Sequence, residues 1–193
     1  PIGENGVDLR NYGEPIGIIE ARKLGADILD SKIDLTIAGE QSSYLLMTQL
    51  LLGRFLFGLD DDPWKNDKEP AFLCAVPGFD RHFATLEGLG LKMHTVNLCS
   101  SGIDLDDLNK KLSKYPNIKG LICVPRHSNP SGEVFSDENI TNLLKITKEY
   151  NSSFINLFDH AYLIHDFDET RAQTPIPLLA DGLDALDLSL IHI

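Results

Sequence analysis

The sequence predicts an α/β fold, in which a mainly parallel β-sheet is covered by helices on both faces. Short apolar runs, typical of buried strands, alternate with longer segments of helical periodicity along the whole chain. This alternation indicates successive βαβ units, which place helices against both faces of a parallel sheet. The 193 residues contain no internal repeat, low-complexity tract or domain boundary, so we predict one domain or part of one over residues 1–193.

The amino-terminal third begins with a loop rich in Gly, Pro and Asn, which extends to Gly17. An amphipathic helix is predicted over residues 16–29 and a short strand over 35–38. Residues 44–57 are almost entirely apolar and predict a long, largely buried helix. A charged, Pro-containing surface loop is expected over residues 59–70.

The remainder of the chain supplies most of the predicted sheet. We expect strands over residues 72–76, 92–98, 118–124, 153–158 and 186–193. The intervening helices are predicted over residues 80–89, 104–112 and 136–150. Asp80 and Ser136 are the expected N-caps of the first and last of these helices, because their short polar side chains can accept a bond from a free backbone N–H.

Polar residues follow two consecutive predicted strands and suggest one site. Asp159 and Tyr162 come after the strand at 153–158, and Asn129 comes after the strand at 118–124. Open α/β sheets bind ligands at the carboxyl ends of their strands, so these loops are expected to share a pocket. A carboxylate that holds a ring nitrogen protonated, beside a phenol that donates to a ring oxygen, suits pyridoxal phosphate. The alternative is that Asp159 caps a turn, Tyr162 packs on the sheet edge and Asn129 marks an ordinary turn.

Three further features have a functional and a structural interpretation. Residues 39–43 join a predicted strand to a helix, a geometry that offers backbone N–H groups to an anion; the alternative is N-capping by Ser42 or Ser43. Phe79 follows Pro77-Gly78 and could stack on an aromatic ring or belong to the core. Arg126 and His127 could meet an anionic substrate or simply be surface charges.

Composition excludes or disfavours several classes of function. The formal net charge of −12 disfavours a broad nucleic-acid-binding face, which needs clustered Lys and Arg. There is no apolar run long enough to span a membrane. Three cysteines without metal-ligand spacing predict free thiols in a reducing compartment, with Cys74 and Cys123 inside strands. His160, His165 and Asp166 could be imagined as metal ligands, but their spacing does not favour this, and no metal is predicted.

Four segments together resemble the large domain of a fold-type I pyridoxal-phosphate enzyme of the class I aminotransferases. Within that class the chain is most similar to the bacterial-type aspartate aminotransferase family, also described as alanine-glyoxylate aminotransferase-like. The resemblance extends from Arg10 to about Phe167. The segments that carry it are Ala38-Gly39-Glu40-Gln41-Ser42-Ser43, Val76-Pro77-Gly78-Phe79-Asp80-Arg81-His82-Phe83, Val124-Pro125-Arg126-His127-Ser128-Asn129-Pro130-Ser131-Gly132 and Asp159-His160-Ala161-Tyr162.

The resemblance implies a role for each candidate residue around pyridoxal 5′-phosphate. Asp159 would pair with the pyridinium nitrogen, and Tyr162 and Asn129 would hydrogen-bond the ring oxygen. Phe79 would stack on the ring. The phosphate would be held by residues of one loop, namely Gln41 and Ser42 with their neighbours Glu40 and Ser43.

The resemblance also implies a homodimer, because Tyr12 matches a tyrosine that reaches the phosphate of the partner subunit in related enzymes. The complete enzyme is expected to be cytoplasmic and to transfer an amino group between an amino acid, aspartate or another small or acidic one, and a 2-oxo acid. Two alternatives remain on the same scaffold. One is a non-catalytic pyridoxal-phosphate-binding sensor of a transcription regulator, and the other is a lyase or decarboxylase.

One departure from the family pattern concerns the Schiff-base lysine, which is expected a few tens of residues beyond the Asp. None of the 34 residues after Asp159 is a lysine, and Lys145 and Lys148 lie on the preceding helix. Residues 186–193 lack the Ser/Thr-rich character expected where the lysine-bearing strand begins. We therefore expect a large domain truncated before that lysine, without the C-terminal small domain, and without transaminase activity of its own.

Overall fold

The computed structural model describes residues 1–39, 42–59 and 61–167, together with the backbone of residues 186–188. Its centre is a six-stranded sheet with the strand order β3-β2-β1-β4-β5-β6. All neighbouring strands are parallel except the short hairpin partner β3, which pairs with β2 in antiparallel fashion. The strands are β1 (Ala71–Val76), β2 (Lys92–Cys99), β3 (Gly102–Ile103), β4 (Ile118–Cys123), β5 (Ile155–Asp159) and β6 (Leu186–Leu188).

Helices connect the parallel strands and cover both faces of the sheet. In the described part of the chain they are α1 (Ile19–Leu29), α2 (Ser43–Phe57), α3 (Asp80–Gly88), α4 (Leu105–Lys114) and α5 (Asp137–Tyr150). Two short 3-10 turns, Ile33–Leu35 and Trp64–Asn66, lie in the connections before β1. The predicted fold class, a mainly parallel α/β sheet, is confirmed.

The central strands are buried on both faces, and successive side chains alternate between two cores. In β1, Leu73 and Ala75 belong to the core beneath α4 and α5, whereas Phe72 and Cys74 belong to the core beneath α2 and α3. This two-sided burial is why the strands appear in the sequence as continuous apolar runs rather than as alternating polar and apolar residues.

Two helices begin at side-chain caps. The Asp104 carboxylate accepts bonds from the backbone N–H groups of Asp106 and Asp107, at 3.1 and 3.0 Å, and opens α4. The Ser136 hydroxyl accepts from Asn139 N at 3.1 Å, which confirms its predicted role at the start of α5. The prediction for Asp80 is wrong, because Asp80 is already the first residue of α3 and Phe79 occupies the N-cap position.

The strand predicted at residues 35–38 is wrong. The chain instead forms the 3-10 turn Ile33–Leu35, and Leu35 and Ile37 are 59% and 64% exposed. A strand is stable only beside a neighbour, and this segment docks on α1 rather than on the sheet. Arg22 makes that contact by donating from Nε to Thr36 O at 2.8 Å.

Helix α2 is less buried than its composition predicts. Met47 and Leu51 pack on the sheet, but Tyr44, Leu45 and Leu52 are 40–43% exposed and Phe57 is 74% exposed. A helix that lies on one face of a sheet buries only one stripe, whatever the composition of its other sides. No helix in the described ranges has both the length and the apolar character needed to cross a membrane.

The cysteine predictions are confirmed for the two strand residues. Cys74 and Cys123 are buried and form no disulfide, and Cys99 at the end of β2 is exposed. Burial raises the pKa of the Cys74 thiol to about 12, because the apolar surroundings disfavour the thiolate. Cys74 is therefore a protonated core residue at neutral pH.

Gly120 in β4 permits a close approach between strands, and its replacement by alanine should destabilise the fold. A Cβ atom there would lie 2.4 Å from both Ile155 O and Phe72 Cζ. We expect Gly120→Ala to lower the free energy of unfolding by about 1–3 kcal/mol, as overpacked core substitutions do. Urea denaturation followed by circular dichroism measures this change.

Gly88→Ala is the matched control for that variant. Apart from its chain neighbours and the backbone of its own helix, no heavy atom lies within 4 Å of the Cβ position at Gly88, the last residue of α3. Alanine has the higher helix propensity, so this variant should be neutral or more stable by about 0.5 kcal/mol. Equal stability of the two variants would contradict the steric account of Gly120.

Candidate functional site

The carboxyl ends of three adjacent parallel strands carry the candidate residues. β1 leads through Pro77 and Gly78 to Phe79, β4 leads to Asn129, and β5 ends at Asp159 itself. β4 lies between β1 and β5, and the register pairs Cys123 with Phe158, so the ends of β4 and β5 are level. The predicted convergence of these loops on one edge of the sheet agrees with this topology.

Asp159 is a buried carboxylate that is held on two sides. It is 8% exposed, and its Oδ2 lies 2.9 Å from Nε2 of His82, which is 6% exposed. Its Oδ1 accepts a bond from Ala161 N at 3.1 Å. Burial of a carboxylate is costly unless it is hydrogen-bonded, and these two donors compensate while each oxygen keeps a further lone pair.

Two loops meet through the side chains of Asn129 and Tyr162. We call them the Asn129 loop, residues 124–136, and the Tyr162 loop, residues 160–167. Asn129 Nδ2 donates to the Tyr162 hydroxyl at 3.3 Å, and the Asn129–Pro130 peptide bond is cis. Since the Tyr162 oxygen acts as acceptor here, its own O–H can donate to another atom, as can the second N–H of Asn129.

Phe79 is partly exposed and lies beside the buried pair. Its ring centroid is 5.2 Å from that of His82, with the two rings nearly perpendicular at 85°. His82 in turn contacts Asp159, so Phe79 borders the group formed by the carboxylate and the imidazole. A partly exposed ring in this place favours the interpretation of Phe79 as a stacking surface over that of a core residue.

Ser42 occupies the N-cap position of α2, with Ser43 as the first helical residue. Its backbone is extended, with φ −158° and ψ 128°, but its hydroxyl makes no capping bond. N-capping by the Ser42 side chain is therefore not observed. In the described residues no hydrogen bond joins either serine to Asp159, Asn129 or Tyr162. Glu40 and Gln41, the other predicted phosphate ligands, lie outside the described residues.

Tyr12 lies among residues of the amino-terminal segment rather than among the strand-end residues. It is 97% exposed and lines a pocket of the amino-terminal segment with Asn5, Asp8 and Asn11. Within residues 1–39 and 42–167, apart from the undescribed residue 60, no hydrogen bond links it to the strand-end group.

Arg126 is an ion-pair partner of Asp166, and His127 lies within hydrogen-bonding distance of the same carboxylate. Asp166 contacts both side chains: its Oδ2 lies 3.1 Å from Arg126 Nη1, and its Oδ1 lies 2.7 Å from His127 Nε2. Arg126 is 7% exposed, so its charge is neutralised inside the protein. These contacts also occupy Asp166, one of the three residues considered as metal ligands.

The other two residues considered as metal ligands, His160 and His165, each contact an aromatic ring. His160 is buried against Phe158, and His165 lies against the Tyr162 ring, with centroids 6.3 and 5.8 Å apart respectively. Across the described part of the chain, no three His, Cys, Asp or Glu side chains are grouped as a metal site requires.

His82 is the site residue that the sequence analysis missed. It is named within one of the resembling segments, but nothing in its immediate sequence indicates a contact with Asp159, 77 residues away. One available signal was its position three residues after Phe79, because residues at i and i+3 at a helix start share a face. A polar residue on that face is directed towards the same edge of the sheet.

Comparison with known proteins assigns the chain to a family. The profile of the family described as "Aspartate amino-transferase" matches residues 2–184. An aspartate aminotransferase of Corynebacterium glutamicum is 34% identical over 163 residues, which is 83% of this chain and 37% of that protein. The chain thus spans about two fifths of the length of the curated relatives it matches.

Solved structures agree with this assignment. The crystal structure of an aspartate transaminase from C. glutamicum superimposes with a TM-score of 0.78 at 32% identity, covering 87% of this chain and 41% of that one. An archaeal alanine:glyoxylate aminotransferase gives a TM-score of 0.69 at 21% identity, covering 93% of this chain and 43% of that one, a likeness of fold. Because the family profile matches residues 2–184 and a curated member is 34% identical, the chain belongs to the aspartate aminotransferase family.

Proposed function

We propose that this chain is the cofactor-binding part of a pyridoxal 5′-phosphate-dependent aminotransferase. The complete enzyme would transfer an amino group between an amino acid and a 2-oxo acid. The observation that supports this best is the buried Asp159 carboxylate at the end of β5, which is held by His82, with the Asn129–Tyr162 pair in the loops that follow β4 and β5. Family membership supports the same reaction class.

Asp159 fits the ring nitrogen of this cofactor. When bound with its ring nitrogen protonated, the cofactor supplies an electron sink for the amino-acid substrate. Asp159 is buried and retains a free lone pair on each oxygen after bonding His82 and Ala161 N. A carboxylate in that state can keep a proton on an adjacent ring nitrogen, because a nearby negative charge favours the charged form of a base.

Asn129 and Tyr162 fit a single acceptor oxygen on the ring. Their polar atoms lie 3.3 Å apart, so one oxygen can accept from both the Asn129 amide and the Tyr162 hydroxyl. The two donors would stabilise negative charge on that oxygen and fix the rotation of the ring about its phosphate arm. Phe79 would cover one face of the ring.

The start of α2 is the proposed phosphate site. A helix N-terminus offers backbone N–H groups and a partial positive charge to an anion, and the Ser42 hydroxyl makes no capping bond. We propose that Ser42 and Ser43, with Glu40 and Gln41, hold the phosphate. Tyr12, almost fully exposed, would contact the phosphate of the partner subunit in a homodimer.

We propose that the catalytic lysine lies outside these residues. The sequence has no lysine after Lys148, and Lys145 and Lys148 are exposed on α5. The lysine would act as the general base that moves the substrate proton, so the 193-residue chain would bind the cofactor without catalysing transamination. Aspartate or another small or acidic amino acid is the proposed substrate, in keeping with the name of the C. glutamicum relative. A cytoplasmic location is proposed with it.

Borohydride reduction tests this proposal. The purified chain, saturated with pyridoxal 5′-phosphate and then reduced, should carry no stoichiometric adduct on a single lysine when analysed by peptide mass spectrometry. It should also form no glutamate from aspartate and 2-oxoglutarate. The cofactor should still bind by equilibrium dialysis, and an Asp67→Asn control, which alters a carboxylate paired with Lys119, should bind equally well. Turnover with a stoichiometric adduct on one lysine would overturn the proposal that the catalytic lysine is elsewhere.

A further inference from the structure

We propose that Arg126, His127 and Asp166 form a clamp that positions the Asn129–Tyr162 pair. The clamp joins the Asn129 loop to the Tyr162 loop. Its significance for the cofactor rests on the function proposed above, but its effect on the two loops does not.

The clamp consists of three polar contacts between the loops. From the Asn129 loop, Arg126 donates to Leu163 O at 3.2 Å and to Asp166 Oδ2 at 3.1 Å. From the same loop, His127 Nε2 lies 2.7 Å from Asp166 Oδ1. Both oxygens of one carboxylate are therefore engaged by successive residues of the other loop.

Burial and charge make these contacts stronger than ordinary surface ion pairs. The side chains of Arg126 and Asp166 are 9% and 22% exposed. Ion pairs in water contribute little, but a partly desolvated pair is screened less and its loss leaves a charge without its partner. Arg126 thus places its charge against a backbone oxygen and a carboxylate of the Tyr162 loop.

In the sequence, the clamp residues flank the Asn129–Tyr162 pair on both sides. Arg126 and His127 precede Asn129 by three and two residues, and Asp166 follows Tyr162 by four. The pair itself is joined by one 3.3 Å bond between two rotatable side chains, which is too weak to order two loops. The clamp supplies the stronger connection, so the separation of Asn129 and Tyr162 depends on it.

Turn hydrogen bonds inside the Tyr162 loop would transmit the clamp's position to Tyr162. Leu163 N donates to His160 O and His165 N donates to Tyr162 O, each at 3.1 Å. These turn bonds link the backbone of Tyr162 to the residues that the clamp holds. Their two amide protons also report whether the loop has opened.

Two variants test the clamp in the ¹⁵N-labelled chain: Asp166→Asn and Arg126→Met. Both should speed hydrogen exchange at the Leu163 and His165 amides by about tenfold or more, the change expected for loss of a charged hydrogen bond. Arg126→Met should have the larger effect at the Leu163 amide, because it alone removes the bond to Leu163 O. In both variants the side-chain NH2 signals of Asn129 should move towards those of an exposed asparagine.

Asp107→Asn is the matched control. The side chain of Asp107 is 17% exposed, accepts from Asn97 N at 3.0 Å and pairs with Lys111, so its bonds are to β2 and α4 rather than to either loop. This control should change neither the exchange of the Tyr162 loop nor the Asn129 signals. Pyridoxal 5′-phosphate affinity, measured by dialysis, should fall about tenfold in the two clamp variants and not in the control.

Several outcomes would overturn the clamp. Unchanged exchange in both variants would show that the loops do not depend on it. Faster exchange with unchanged Asn129 signals would remove its positioning role, as would equal effects in Asp107→Asn. If the unaltered chain binds no cofactor, the proposed function fails. The exchange rates and the Asn129 signals would still show whether the clamp positions the two loops.

Discussion

Asp159→Asn is expected to weaken the binding of pyridoxal 5′-phosphate by about thirtyfold or more. The replacement keeps the shape of the side chain and an oxygen that can accept from Ala161 N, but it removes the negative charge. Loss of one partner of a buried charge pair costs about 2–5 kcal/mol, and each 1.4 kcal/mol is a factor of ten in affinity. Absorbance titration and equilibrium dialysis measure the change.

The spectrum of the bound cofactor provides a second measurement on the same variant. Without the carboxylate, the ring nitrogen should lose its proton, and ¹⁵N NMR of ring-labelled cofactor detects this directly. Asp67→Asn is a suitable control, because Asp67 pairs with Lys119 at 2.6 Å near the opposite ends of the strands. Equal affinity of the Asp159 and Asp67 variants would show that Asp159 does not bind the ring nitrogen.

His82→Phe is expected to destabilise the fold by about 1–3 kcal/mol. Phenylalanine fills a similar volume but cannot donate, so Asp159 Oδ2 loses its 2.9 Å partner while remaining buried. An unsatisfied buried charge costs more than the bond itself contributes. In a domain of this size the melting temperature should fall by about 2–4 °C for each kcal/mol.

The double variant His82→Phe, Asp159→Asn separates the loss of the bond from the loss of packing. With no charge left to compensate, the histidine replacement should cost less in this background than alone. His165→Phe, an exposed histidine in the Tyr162 loop, should leave stability nearly unchanged. Additive effects of the two replacements would contradict a direct interaction between His82 and Asp159.

The sheet and its carboxyl edge could be predicted because their signals are local. Buried parallel strands appear as apolar runs of five to eight residues, and turn residues mark where each run ends. The loops of Asn129 and Tyr162 follow such runs, and their side chains are 3.3 Å apart in the structure. Proximity at one edge followed from the parallel arrangement alone.

Contacts between distant segments were beyond the sequence analysis. The bond between His82 and Asp159 spans 77 positions, and the ion pair between Arg126 and Asp166 spans 40. Each depends on which strands are neighbours, and strand order does not follow from hydrophobic periodicity. The wrong strand at 35–38 has a related cause, since an apolar run forms a strand only where a partner strand is available.

The most direct test of cofactor binding at this edge is a titration of the ¹⁵N-labelled chain with pyridoxal 5′-phosphate. We predict saturable shifts at Phe79, Asn129 and Tyr162, with one dissociation constant for all three. Asn117 and Lys119, at the amino end of β4, should not shift. Shifts that cluster at the amino ends of the strands, or an absence of saturable binding, would contradict the assignment of the Asp159 edge as the cofactor site.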